Sequence, residues 1–161
     1  MITEFRRAAV PRELRSLLIF DHKAFRPFPA DWFLPQDWAR FETWWMIIDG
    51  RKIGCCAFER NVDFQGDIRE DGENIHRRGS LYIATTGILP SFHRLGFGQL
   101  LKAWQISYAR AERFTRIVTN TRKSNAAMIQ LNAKFGFKTV RTTANYYSAP
   151  RESTVVMELR F

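Results

Sequence analysis

The chain has 161 residues, 45% of them apolar, and a formal charge of +9 from 25 Lys and Arg against 16 Asp and Glu, which suits one well-packed domain over residues 1–161. No apolar run approaches the roughly 20 residues that span a bilayer, and residues 1–12 hold no hydrophobic segment of secretory type, so a cytoplasmic protein with no membrane partner is expected. The basic residues fall in scattered pairs (Arg6-Arg7, Arg51-Lys52, Arg77-Arg78, Arg122-Lys123) and no nucleic-acid motif accompanies them, so nucleic acid is not the expected partner.

Ile2 to Arg6 alternates and predicts a first strand. Pro11 is placed to open a helix in which Leu14, Leu17 and Leu18 share a face. Phe25 to Trp38 breaks that pattern with three prolines among five aromatic residues. It predicts a loop or short helix whose rings anchor the core or wall a groove. Phe41 to Ile48 and Ile53 to Phe58 predict a hairpin joined at Asp49-Gly50. Cys55 and Cys56, the only cysteines, are neighbours in the second of these strands, point to opposite faces and are poorly placed to bridge. With three scattered histidines, His22, His76 and His93, no zinc spacing arises and no metal site is expected.

Asn61 to Ser80 is polar and reads as a long surface loop. Leu81 to Leu89 predicts the next strand, and Gln99 to Arg113 a helix with Leu101, Trp104, Tyr108 and Ala111 on one face. Between them, Gly96 and Gly98 predict a tight turn into a helix N-terminus. The backbone N–H groups of Leu95, Gly96, Phe97, Gly98 and Gln99 suit a phosphate there, with Arg94 adding charge and His93 just ahead as a phosphate-side or structural residue. Phe114 to Thr121 is a strand, Ser124 an N-cap for a helix from Asn125 to Phe135, and Gly136 its stop. Phe137 to Thr143 and Thr154 to Phe161 close the chain as strands flanking a loop at 144–150. An initial hairpin followed by strand-helix-strand units implies an α/β fold, a mixed and twisted sheet with helices on both faces.

Two motifs in this order resemble the GNAT superfamily of acetyl-CoA-dependent N-acetyltransferases. The first is His93-Arg94-Leu95-Gly96-Phe97-Gly98, similar to the family's acyl-CoA loop with His93 in the usual Arg or Gln place. The second is Asn125 to Phe137, in which Met128 stands for the usual Ala and Asn132 for the usual Tyr. Shorter motifs resemble the protein N-terminal acetyltransferases, which act on peptide α-amines: the strand around Tyr82, the pair Tyr146-Tyr147, and Phe28-Pro29-Ala30-Asp31-Trp32. The resemblance implies a GNAT-like sheet of six to seven strands and acetyl-CoA as the acyl donor.

It further implies that the pantetheine arm lies along Ile88 and Leu89 with Asn125 as a polar contact, and that Phe28, Pro29, Trp32, Tyr146 and Tyr147 receive the acceptor. Tyr82 matches a strand tyrosine that handles the amine's proton through water, and its usual histidine partner falls on Asn120. An amide is no base, and a phenol titrates near pH ~10 in water. Three routes stay open: proton loss through water with Tyr82 as anchor, another base such as Glu59, or reduced activity. The expected function is acetyl transfer to a primary amine of a peptide or protein N-terminus. A small-molecule amine acetyltransferase and a non-catalytic acyl-CoA sensor are the alternatives, and monomer and dimer are both open.

Overall fold

In this computed structural model residues 1–64 and 75–161 are described. Seven strands and four α-helices follow one another as β1 (Thr3–Arg7), α1 (Leu14–Ala24), α2 (Pro35–Arg40), β2 (Glu42–Ile48), β3 (Arg51–Asp63), β4 (Ile75–Ile88), α3 (Phe97–Ala111), β5 (Arg116–Arg122), α4 (Ala126–Lys134), β6 (Lys138–Tyr147) and β7 (Glu152–Arg160). The strands form one mixed sheet in the order β1-β2-β3-β4-β5-β7-β6, flanked by helices on both faces as expected. The β4–β5 pair is parallel, whereas β1–β2, β2–β3, β5–β7 and β6–β7 are antiparallel.

The chain divides into two compact units, the first holding residues 1–59 and 84–101 and the second residues 60–83 and 102–161. In the first unit α1 runs to Ala24, past the Leu18 that its leucines alone suggested, because Leu17 and Phe20 continue the same buried face. Phe20 meets Trp45 of β2 edge-on at 5.6 Å between ring centres. The aromatic segment resolves into a 3₁₀ turn at Pro29–Asp31 and the helix α2, with Pro35 in its first turn. Asp37 Oδ2 accepts the Leu34 N–H at 2.8 Å and closes that helix start. Phe33, Trp38 and Phe41 pack edge to face. Asp49 and Gly50 both take positive φ, 48° and 80°, the backbone of the two-residue hairpin their sequence predicts. Cys55 and Cys56 are buried free thiols.

In the second unit the polar stretch from Asn61 is more ordered than a loop. β3 continues to Asp63 and β4 starts at Ile75, with alternating burial along β4 from Ile75 to Ser80. Polar residues are no bar to a strand that has one wet face. The rest of that expected loop lies outside the described residues. The α4 N-cap is Asn125, whose Oδ1 accepts the Met128 N–H at 3.2 Å, not the Ser124 that the residue type suggested. The helix stops as expected at Gly136, with φ +94°, and the Phe137 N–H returns to the Asn132 carbonyl at 3.0 Å. β6 absorbs most of the expected closing loop and runs to Tyr147, paired with Glu152. An irregularity between Thr143 and Tyr147 and a left-handed Asn145 at φ 59° accommodate the polar residues there.

Candidate active site

In the first unit β4 ends at Ile88, a 3₁₀ turn follows at Pro90–Phe92, and α3 starts at Phe97, two residues ahead of the expected Gln99. The chain reverses through left-handed backbone at Arg94 (φ 60°) and Gly96 (φ 86°). A side chain at Gly96 would meet nothing within 4 Å. Glycine is therefore required by its dihedral angle, and the backbone there faces open space. The first α-helical bond after the turn runs from the Leu100 N–H to the Gly96 carbonyl at 3.1 Å. The N–H groups of the first turn lie ahead of it and point out of the helix end. An open face, a helix N-terminus and the Arg94 guanidinium together fit a pyrophosphate.

The flanks of this turn are fixed by the chain itself. His93 Nε2 lies 2.7 Å from the Ile88 carbonyl oxygen, which only accepts, so Nε2 carries the hydrogen and donates. The Leu89 N–H donates to the Ile53 carbonyl at 2.9 Å, and the Leu89 carbonyl accepts the Phe92 N–H at 2.9 Å. His93 thus clamps the end of β4 and serves structure at this point. Phe97 packs against Phe92 at 6.1 Å, under the Arg51 guanidinium. Leu95 is 63% exposed, and its backbone is what the turn uses.

Also in the first unit, Pro29 opens the 3₁₀ turn and the Phe28 N–H donates to the Phe25 carbonyl. Trp32 Nε1 donates to the same Phe25 carbonyl at 2.9 Å, and its ring stacks on His22 at 3.9 Å. The segment is held from below by Asp21, a buried carboxylate whose Oδ2 accepts the Phe33 N–H at 2.9 Å. Burial pushes the Asp21 pKa up to about 6, against the opposing Phe33 hydrogen bond. Glu59 is engaged with Arg40 at 3.3 Å.

In the second unit Tyr82 and Asn120 meet. The β4–β5 ladder pairs Tyr82 with Val118 and ends at Ile83 paired with Thr119, so Asn120 lies just past its end. The Tyr82 hydroxyl donates to Asn120 Oδ1 at 2.7 Å. Asn120 Nδ2 donates to the Tyr147 hydroxyl at 3.1 Å and to Thr154 Oγ1 at 3.2 Å. Tyr147 is in turn edge-on to Tyr146 at 4.8 Å. Phe64 stacks on Tyr82 at 5.6 Å and meets Tyr146 edge-on at 5.4 Å. The structure therefore brings Tyr82, Asn120, Tyr146 and Tyr147 into one cluster.

Sequence reasoning missed three members of this cluster. Phe64 sits at the mouth of a polar stretch and gave no signal beyond its lone ring. Thr154 is fully buried in β7. Arg122, read as half of a surface basic pair, is buried: it donates to the Pro150 carbonyl at 2.9 Å, to the Ser148 carbonyl at 3.1 Å and to Glu152 at 3.1 Å. Its guanidinium also lies 4.5 Å from the centre of the Tyr147 ring. It ties the β6–β7 connection to β5 and so sets Tyr147.

Asn125 and Asn132 have structural duties. Asn125 caps α4, and its Nδ2 donates to Thr121 Oγ1 at 3.3 Å. Asn132 is completely buried. Its Nδ2 lies 3.8 Å from Met157 Sδ, and its Oδ1 has no partner among the described residues. Chemically, the cluster can orient and accept hydrogen bonds. Asn120 takes the Tyr82 proton as a hydrogen bond, so toward any further partner that phenolic oxygen can only accept. Among the described residues no group of three or more His, Cys, Asp or Glu could hold a metal ion, and no helix is long and apolar enough to cross a membrane.

Comparison with known proteins gives a consistent picture. A family model described as acetyltransferase (GNAT) family matches residues 12–137. The probable N-acetyltransferase san of Drosophila melanogaster is 32% identical over 76 residues, covering 47% of this chain and 41% of that protein, so the match spans less than half of the curated relative. Among solved structures, the ribosomal-protein-S18-alanine N-acetyltransferase from Escherichia coli superposes with a TM-score of 0.78 at 17% identity, over 99% of this chain and 94% of that one. A chain of the NatC complex bound to Gag peptide and CoA gives 0.75 at 16% identity, over 100% and 99%. An IAA acetyltransferase from Bacillus cereus gives 0.72 at 15%, over 99% and 100%. At these identities the structural likenesses speak for the fold.

Proposed function

Because this chain belongs to the acetyltransferase (GNAT) family, we propose that it is an acetyl-CoA-dependent N-acetyltransferase whose acceptor is the α-amine of a peptide or protein N-terminus. The observation that carries the peptide reading is the joining of Tyr147 to Tyr82 through Asn120. It links a pair of tyrosines to Tyr82 and Asn120, the residues proposed to handle the amine's proton. Tyrosine suits a peptide end, since its hydroxyl bonds amide groups while its ring packs on an apolar side chain. Two of the similar structures carry names of the same kind, one acting on a ribosomal protein's alanine and one bound to a peptide with CoA.

Acetyl-CoA, when bound, supplies the acetyl thioester. The chain's own residues do the rest. The turn from Arg94 to Gln99 holds the pyrophosphate through backbone N–H groups and the Arg94 charge. Tyr82 accepts a hydrogen bond from the amine or from a water beside it, and Asn120 fixes the direction of that lone pair. An ammonium must lose a proton before it can attack, and neither Asn120 nor Asn132 can take one. Proton loss to water, ordered by Tyr82 and Asn120, is the route that needs no further residue. Glu59, the other candidate base, already neutralises Arg40.

A second reading is favoured by the same two amides: a domain that binds acyl-CoA without turnover. An acceptor panel separates the readings. CoA release with peptides carrying a free α-amine, and not with N-blocked peptides, supports the proposal. Release only with polyamines or aminoglycosides replaces the peptide by a small-molecule amine. Acetyl-CoA binding without release on any amine establishes the sensor.

A further inference from the structure

A basic cavity lies wholly in the second unit, at the start of the parallel β4–β5 pair and the end of β7. It has a volume of about 220 Å³, and its walls include Arg77, Arg78, Ser80, Arg116 and Arg160. None of these residues belongs to the turn at Arg94–Gln99 or to the Tyr82–Asn120 cluster.

Among the described residues its side-chain charge is not balanced from within. Arg116 is buried and is held by Asp63 at 2.8 Å and by Glu158 at 2.6 Å. The same two carboxylates also serve Arg77, at 3.1 Å, and Arg160, at 2.9 Å. Burial would raise the pKa of both carboxyls. The bound guanidinium groups outweigh it and hold both below the ordinary range, so both carry full charge at neutral pH. Among the described residues four arginines thus meet two side-chain carboxylates, leaving two positive side-chain charges, of which the α-carboxylate of Phe161, also on the cavity wall, offsets one. One of the four arginines, Arg78, is exposed and has no hydrogen-bond or ion-pair partner among the described residues.

The donors are also preorganised. Nε and Nη1 of Arg116 are committed to Glu158, Asp63 and Ser80, which fixes the plane of the guanidinium and leaves Nη2 as a directed donor. Ser80 Oγ accepts from Arg116 Nη1 at 2.9 Å, so its own hydroxyl hydrogen is left to donate. The backbone between them is locked: Gly79 sits at φ +82°, its N–H donates to Asn61 Oδ1 at 3.0 Å, and its carbonyl accepts the Thr115 N–H at 2.9 Å. A guanidinium N–H held in a fixed direction beside a hydroxyl donor and surplus positive side-chain charge suits an oxyanion. The cavity is several times the roughly 30 Å³ that a water occupies, room for a phosphate group with water around it.

We propose that this cavity is a second anion site, one that binds a phosphate-type oxyanion on Arg78, Arg116 and Arg160 independently of the acyl-CoA turn. Inorganic phosphate is the probe, titrated calorimetrically into the full chain at low ionic strength. With the Arg94–Gln99 turn first saturated by CoA, the wild-type chain is expected to bind a single phosphate. Arg78→Ala, which removes a surface side chain with no partner among the described residues, weakens binding several-fold, and Arg78→Ala with Arg160→Ala weakens it tenfold or more. Gly96→Val leaves it unchanged. Absence of phosphate binding overturns the proposal, as does wild-type affinity in Arg78→Ala, which decides alone if the double variant unfolds. Loss of phosphate binding in a folded Gly96→Val chain overturns it too, by placing the anion at the turn.

Discussion

The Tyr82 hydroxyl donates to Asn120 Oδ1 at 2.7 Å, so the amide of Asn120, which cannot be a base, decides how the phenol presents itself. Removing the hydroxyl should therefore slow turnover without weakening the donor. Tyr82→Phe is expected to lower kcat roughly 10- to 100-fold while the acetyl-CoA affinity stays at the wild-type value. Steady-state kinetics with calorimetry on the same preparation check it. Unchanged kcat removes Tyr82 from the chemistry.

Asn120→His offers the complementary test. An imidazole restores a titratable group near a pKa of ~6.5 beside the same phenol. The rate should gain an ionisation step in that range that the wild-type profile lacks, with activity rising as pH climbs through it. A pH–rate profile unchanged in shape would show that Asn120 does not face the reacting amine.

Gly96 is required for its backbone, not for space. At φ +86° with nothing within 4 Å of an added Cβ, a valine meets only dihedral strain, of order 1–2 kcal/mol. If the strain is released by moving the turn, acetyl-CoA binding should weaken about 5- to 30-fold. The melting temperature should change little. A large fall in melting temperature with normal affinity would reverse the assignment and make the turn architectural.

Asp21 gives a pH dependence with a definite sign. Its folded-state pKa is raised to about 6 by burial, from an ordinary value of 3.8. The folded state thus binds more protons than the unfolded state between these values, and stability falls as pH rises through that window. The full effect is on the order of 1–3 kcal/mol. Asp21→Asn keeps an acceptor for the Phe33 N–H and has no charge to bury. It should raise stability at pH ~7 by that amount and flatten the profile between pH ~4 and ~6. Urea unfolding across that range checks it. A variant less stable than wild type at neutral pH would mean that the ionised carboxylate is needed.

Much of the fold was legible because it rests on local chemistry. Asp49-Gly50 dictated its hairpin, Gly136 its helix stop, and the alternation and spacing of apolar residues the strand and helix order. The edges that shifted are those where tertiary partners outvote residue type. Ser124 and Asn125 rank equally as caps by type; Glu152 takes the Ser124 N–H, and it is the Asn125 side chain that accepts from the first turn and caps the helix. β6 outran its apolar residues because β7 offered it a partner as far as Glu152. In the site, Tyr82, Asn120, Tyr146 and Tyr147 were named from motif positions, but their hydrogen-bonded order was not. Arg122 was hidden because a buried arginine and a solvated one look alike in sequence. The carbonyls of Ser148 and Pro150 and the carboxylate of Glu152, brought back by the β6–β7 connection, account for its burial.

That role makes Arg122 a sharp stability test. Arg122→Met removes three partners and leaves two carbonyls and a carboxylate to water or to each other, at a cost of roughly 2–4 kcal/mol. Tyr147 loses its cation at the same time, so the KM for a peptide acceptor should rise with the acetyl-CoA affinity preserved. A variant with wild-type stability and KM would show that the connection holds itself.

The central claim is acetyl transfer to a peptide α-amine, and mass spectrometry of the acceptor tests it most directly. The chain is incubated with acetyl-CoA and a peptide carrying both a free N-terminus and an internal lysine, beside a Gly96→Val control. The expected result is a single acetyl group on the N-terminal nitrogen, sharply reduced in the control. Acetyl-CoA bound but no acetyl group on any amine, or modification confined to small amines, would contradict it.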